Sequence, residues 1–309
     1  MSPTACAACC GPMTSSNPDL KQRPAKRVRP LLGTFVEITL RGRAAGGGIV
    51  SAFAAAFDAI GDIDRLMSYH RPESDLSRLN RAAAGHWLRV NPHTARVLAL
   101  SNDLFLASSG AFDVRCGAVL AGWGLLPAAP RAGAGRIYAA MPAPLEIQGR
   151  RVRKTGPWTL DLGGIAKGYA VDHAVNVLRA RGITSGLVNA GGDLRAFGPH
   201  VWRVSVRHPA RPALVLAPVR LQRAAMATSG SYFSHRRVRN RWVSALVRMK
   251  DRTPFLKKHS VSVLSDNCAM ADALSKVATL EPARANVLLA KFNAMAFSVD
   301  VRGAVRLLN

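Results

Sequence analysis

At 309 residues, with 49% apolar and 20% charged side chains, the chain is long enough to bury one large core and too apolar to be a disordered segment. Its 43 Lys and Arg against 18 Asp and Glu direct it towards phosphates, acidic proteins, nucleic acid or anionic lipid, and say nothing of the fold. A 6% aromatic content without a base-stacking module argues against nucleic acid as the main partner, and no apolar run approaches the ~18 residues of a membrane span.

In chain order, residues 1–30 read as a mobile basic leader, closing in the run Lys21 to Pro30, and order is expected from near Leu31. The leader holds Cys6, Cys9 and Cys10, with Cys116 and Cys268 isolated downstream. An odd number of cysteines in a large chain does not indicate a disulfide scaffold, and Cys6 and Cys9 lack a second ligand pair for zinc. Without the apolar stretch of a secretory signal the chain reads as cytoplasmic as written, and periplasmic if its true start differs.

Phe35 to Leu40 alternates β-formers at period two, the pattern of a half-buried strand. Beyond the glycine turn at Gly46 to Gly48, Phe53, Phe57, Ile60, Ile63 and Met67 recur at steps of three and four and predict a helix. A second helix follows Asn91-Pro92, with Val97, Leu100 and Leu104 on its apolar face. A third spans about Ala166 to Arg181 and closes at Gly182, and Ile183 to Asn189 reads as a buried strand running into Gly191-Gly192. Strands are expected at Val201 to Val206, Leu214 to Leu221 and Ser260 to Leu264. Helices follow near Ala269 to Leu280 and Pro282 to Phe292, then a terminal hairpin turning at Gly303. Strands and helices mix without strict alternation, so the class is α+β.

The segment with the most chemistry in it is Leu160 to Asp172, LDLGGIAKGYAVD, read as a strand passing into a helix through small residues. Its glycines permit close backbone approach to a ligand, the helix N-terminus favours a phosphate, and Lys167 adds a mobile cation. A tight structural turn explains the same composition equally well. The P-loop spacing is absent.

This block resembles the signature of the ApbE-type FAD:protein FMN transferases. Further segments resemble the family in order: Leu32 to Phe35, Met67 to Asn80, Ala111-Phe112-Asp113 leading to Trp123-Gly124, Asn189 to Arg195, Trp202 to Pro209, Ala227 to Tyr232, and Ala271 to Ser275. The resemblance covers about residues 31–309 and implies one large ApbE-like (T-fold-like) unit of mixed sheets packed with helices. It implies transfer of the FMN half of FAD to a Thr or Ser of an acceptor protein, with release of AMP and help from magnesium. Leu32, His70, Ala111, Phe112, Asp113, Asp161 and Lys167 fall where the family contacts FAD. The backbone at Gly164 and the carboxylate of Asp272 fall at the metal site, and Asp272 is counted with the catalytic residues.

Two departures from the family stand out. Lys276 replaces a Thr that would ligate the metal, so it either takes the metal's place or forms an ordinary i, i+4 pair with Asp272; in both cases metal affinity falls. The family's His-x-x-Asp-Pro motif is missing from Ser244 to Thr253, which leaves His235 and His259, flanking the gap, as candidate bases. In addition, His70 stands where a stacking Tyr is common. The alternatives to a transferase are a flavin-binding relative without transfer activity and a basic scaffold for an acidic partner or nucleic acid.

Overall fold

The computed structural model describes residues 23–42, 48–128, 143–216, 218–230 and 235–308. The cysteines of the leader, most of the Gly46 to Gly48 turn, and Ser231-Tyr232 lie outside them.

Strands β1 (Ala25–Leu31) and β2 (Thr34–Arg41) are followed by helices α1 (Gly48–Met67) and α2 (Asp75–Arg81). Then come β3 (Leu88–Arg89), α3 (Pro92–Ala107), a 3-10 turn at Val114–Cys116, α4 (Gly117–Gly122), β4 (Leu145–Gln148) and β5 (Arg151–Lys154). The middle of the chain supplies α5 (Ala166–Ala180), β6 (Ser185–Ala190), β7 (Asp193–Phe197), β8 (Trp202–Val204), β9 (Val219–Leu221) and β10 (Ala225–Gly230). Four short strands, β11 (Arg236–Val238), β12 (Arg241–Val243), β13 (Val247–Arg248) and β14 (Thr253–Pro254), precede β15 (Ser260–Ser265). The chain closes through α6 (Cys268–Leu280), α7 (Pro282–Lys291), β16 (Met295–Val299) and β17 (Val305–Leu308).

An eight-stranded sheet in the order β1-β2-β6-β7-β10-β15-β16-β17 forms the frame, antiparallel throughout. Its period-two alternation sorts side chains between two cores. Val36, Ile38 and Leu40 of β2, Val188 of β6 and Ala227 of β10 join the main core with α1, α5 and α6. Leu194, Met226 and Val299 point the other way, onto Trp202 and Leu221 of the β8–β9 pair. A second sheet, β3-β5-β4, packs beside α3.

Several expectations are corrected. Residues 25–30, expected to belong to the leader, lie in a strand, because the basic run pairs with β2 from Thr34 to Leu40. Its charges are held in place: Lys26 bridges Glu37 at 2.6 Å, and Arg27 and Arg29 lie over the Phe53 and Phe57 rings of α1. A basic strand containing Pro30 also suits a sheet edge, where it discourages further pairing. The expected strand from Leu214 shrinks to β9, with Val215 making only an isolated bridge to Arg207. Pro218 has no N–H for a ladder there.

Leu160 to Leu162 is not a strand. Asn80 donates to the Leu160 carbonyl at 2.9 Å and accepts its N–H at 2.8 Å, and Asp161 N–H bonds the Val114 carbonyl at 2.8 Å. A side-chain amide thus satisfies backbone that a neighbouring strand would otherwise pair.

Candidate functional site

The helices α5 and α6 cross so closely that a Cβ on Gly168 would lie 2.2 Å from the carbonyl oxygen of Cys268. This glycine admits helix backbone and not a ligand, which corrects one use assigned to it from sequence. The crossing brings four charged side chains together from distant parts of the chain. Lys167 bonds Asp193 of β7 and lies 3.4 Å from Asp272 of α6, while Lys276, one turn along α6, bonds the other oxygen of Asp272. Asp272 is wholly buried, and its Oδ2 also accepts the N–H of Gly168 at 3.1 Å. The helix N-terminus expected to meet a phosphate is therefore partly capped by protein.

Burial works against the charge of Lys167, yet the Asp193 and Asp272 carboxylates outweigh it and hold the ammonium above the ordinary lysine range. Burial raises the Asp193 carboxyl, and the Asp272 charge adds to the rise while Lys167 opposes it.

Above this cluster opens a cleft of about 810 Å³, whose lining includes both Lys167 and Lys276. Leu32, His70, Ala111, Phe112, Asp113, Asp161 and Gly164 also line it, so the structure gathers every residue expected at the flavin, with Gly164 of the expected metal site, around one cavity. Its apolar wall includes Met67, Leu125 and Leu126. Leu32 enters through an unusual backbone: Leu32 and Gly33 form the two-residue turn between β1 and β2, and both have positive φ, 56° and 68°. A left-handed leucine is uncommon, and its place here, in the cleft wall, fits the habit of storing strain at sites.

Asp113 does not present a free carboxylate. Arg115 grips it through Nε and Nη2, at 2.9–3.0 Å and 2.7 Å, and both side chains are 2% exposed. The guanidinium also lies over the rings of Phe105 and Trp158. Asp161 accepts the N–H of Gly163 at 3.1 Å, and burial raises its pKa against the pull of that bond and of Lys167.

The candidate bases are placed elsewhere. His235 tilts against Trp242 and His259 meets Phe255 edge-on; neither lines the cleft. Burial lowers the pKa of each, with Lys258 and Lys257 respectively adding to the effect. The segment that lacks the His motif instead contributes Ala245, Leu246 and Val247 to the wall.

A divalent cation does not fit the residues at Asp272. Two ammoniums already stand at its carboxylate and would repel a cation, Lys276 at one oxygen and Lys167, with the Gly168 N–H, at the other. Among the described residues no group of three or more His, Cys, Asp or Glu could hold a metal. The Lys276 pair is mostly enclosed, with Lys276 17% and Asp272 0% exposed, rather than a solvated surface pair.

Two contributors escaped the sequence reading. Asp193 lies within a recognised block but has no spacing relation to Lys167. Tyr69, next to His70, lines the cleft with its hydroxyl buried and without a partner among the described residues. Burial, then Asp161, raises its pKa. Its neighbour His70 stands where the family resemblance implies a Tyr.

Residues 32–297 match the model of the ApbE family. The chain belongs to that family. An FAD:protein FMN transferase of Rhodobacter capsulatus is 37% identical over 215 residues, which are 64% of this chain and 40% of that protein. This chain therefore matches well under half the length of that relative. One from Klebsiella pneumoniae is 28% identical over 264 residues, 78% of this chain and 74% of its own length. The fold of this ApbE-family chain is also that of solved structures. The apo flavinyl transferase ApbE of Pseudomonas stutzeri superposes with a TM-score of 0.76 at 24% identity, covering 93% of this chain and 95% of the other. The ApbE protein of Thermotoga maritima gives 0.79 at 23%, covering 92% and 97%. No helix among the described residues is long and apolar enough to cross a membrane.

Proposed function

We propose that this chain transfers the FMN half of FAD to a Thr or Ser hydroxyl of an acceptor protein and releases AMP. The observation that carries the reading is the two-ended character of the cleft: an apolar wall including Leu32, Met67, Phe112 and Leu126, and a floor carrying Lys167 and Lys276 over buried carboxylates. FAD has the same two ends, a flat ring system and a pyrophosphate. The curated relatives named as FAD:protein FMN transferases support the same substrate.

In this reading the rings lie along the apolar wall and the pyrophosphate over the two ammoniums. The acceptor oxygen attacks the flavin-side phosphorus; a new P–O bond forms, the bond to the bridging oxygen breaks, and AMP departs with that oxygen. The chain neutralises phosphate charge and holds the reacting atoms in line. We assign the acceptor proton to Asp161, which lines the cleft and whose pKa burial raises towards the working range of a base. Asp272 holds the lysines in position from below, and no step runs through a metal ion.

The test incubates the chain with FAD and Thr- or Ser-bearing peptides, following AMP and peptide-bound flavin together. Equal amounts of both are expected, lost with Lys167→Met, and Asp161→Asn should lower turnover while FAD still binds. Bound FAD without AMP, or no bound FAD, would overturn the reading.

A further inference from the structure

We infer that Lys276 supplies the pyrophosphate with the positive charge that a divalent cation would otherwise bring, so that this chain grips FAD without metal. The inference rests on the flavin reading above and adds to it what neutralises the phosphates. Lys276 sits one turn beyond Asp272 on α6, where an i, i+4 neighbour shares the same face. Its ammonium is anchored on Asp272, and Lys276 is among the residues that line the cleft, with its side chain 17% exposed. An ammonium has three donors, and Asp272 is the one bonded partner of Lys276 among the described residues, which leaves N–H groups to meet phosphate oxygens.

The hydroxyls that follow Asp272 on α6 are engaged within the protein. Ser275 Oγ donates to the Asp272 carbonyl at 2.7 Å and shares a 2.6 Å bond with Ser229 Oγ, and Thr279 Oγ1 donates to the Ser275 carbonyl at 2.7 Å. A cation at Asp272 would have to displace Lys276 from Oδ1, or Lys167 and the Gly168 N–H from Oδ2. Asp193 and Asp272 already carry two ammoniums between them, Lys167 meeting both, so these carboxylates are offset without a cation. Lysine is a compact point charge suited to phosphate, and its bond to a charged ligand is among the stronger hydrogen bonds.

FAD binding, read from flavin fluorescence, separates the possibilities. Wild-type protein is titrated with FAD in EDTA and again in millimolar magnesium; the affinity should agree within about twofold, the range of an unspecific salt effect. Lys276→Met in EDTA should bind about tenfold or more weakly, as expected for losing a charged hydrogen bond, while Lys276→Arg retains most of the affinity. Wild-type binding that requires magnesium would overturn the inference while leaving the flavin reading intact, and this comparison needs no variant to fold. A folded Lys276→Met that binds FAD in EDTA as tightly as wild type would overturn it too. Absence of FAD binding by the wild type in both buffers would instead remove the flavin reading, and this inference with it.

Discussion

Asp172 and Asp272 cap each other's helices across the α5–α6 crossing. Asp172, on α5, accepts the N–H groups of Cys268 and Ala269 at the start of α6, both at 2.9 Å, while Asp272, on α6, accepts the N–H of Gly168 in the first turn of α5. Each carboxylate sits at the positive end of the other helix, where it is favoured. Arg195 of β7 ties Asp172 to the sheet at 2.8 Å. The reciprocal bonds set the distance between Lys167 and Lys276, and so the floor of the cleft.

Asp172→Ala should therefore cost at least about 1–2 kcal/mol of stability, the range for a lost helix cap. It should also weaken FAD binding, although Asp172 is not among the residues that line the cleft. Urea unfolding alongside a flavin titration checks both, and an unchanged midpoint would refute the capping argument.

Gly168→Ala tests the crossing from the other side. The added methyl has no room beside Cys268, so α6 must retreat, at about 1–3 kcal/mol for overpacking. The melting temperature and FAD affinity should fall together. A variant with normal stability and weak binding would point instead to direct ligand contact at Gly168.

For Tyr69→Phe the two readouts should move apart. The buried hydroxyl has no partner among the described residues, so deleting it should leave the free protein as stable or more so. If bound FAD satisfies that hydroxyl, affinity should drop about 3- to 10-fold, one neutral hydrogen bond. Loss of stability with unchanged affinity would reassign Tyr69 to the fold.

Lys154 gives a pH dependence remote from the cleft. It is buried, donates to the carbonyls of Asn80 and Trp158 at 3.0 Å and 2.9 Å, and burial lowers its pKa to about 8 from the ordinary 10.5. Between these values the unfolded chain binds more protons than the folded one, so this group makes stability rise with pH across that window. Below about pH 8 the cost of keeping the charge buried is fully present. Wild type should thus gain stability relative to Lys154→Met as pH is raised from about 8 to 10.5 in parallel denaturation series. A constant gap would contradict the lowered value.

Local pattern carried much of the architecture. The three- and four-residue steps from Phe53 to Met67, Asn91 before Pro92, and Gly182 after Arg181 each encode a helix or its end through side chains a few residues apart, and α1, α3 and α5 lie there. The alternation of Phe35 to Leu40 likewise determined β2, and the motif blocks named the residues around the cleft. What sequence spacing does not encode is which distant charges meet. The edge strand β1 was hidden because its basic residues gain partners only when β2 and α1 lie beside them. The extended run at Leu160 is held by an asparagine 80 positions earlier. His235 and His259 were chosen for a titration near neutrality, but the fold decides both their place, away from the cleft, and the burial that lowers their pKa. Whether Lys276 faced solvent or the cleft was decided only when Gly168 let α6 come against α5, because that approach buries Asp272 and turns an i, i+4 pair into part of a wall.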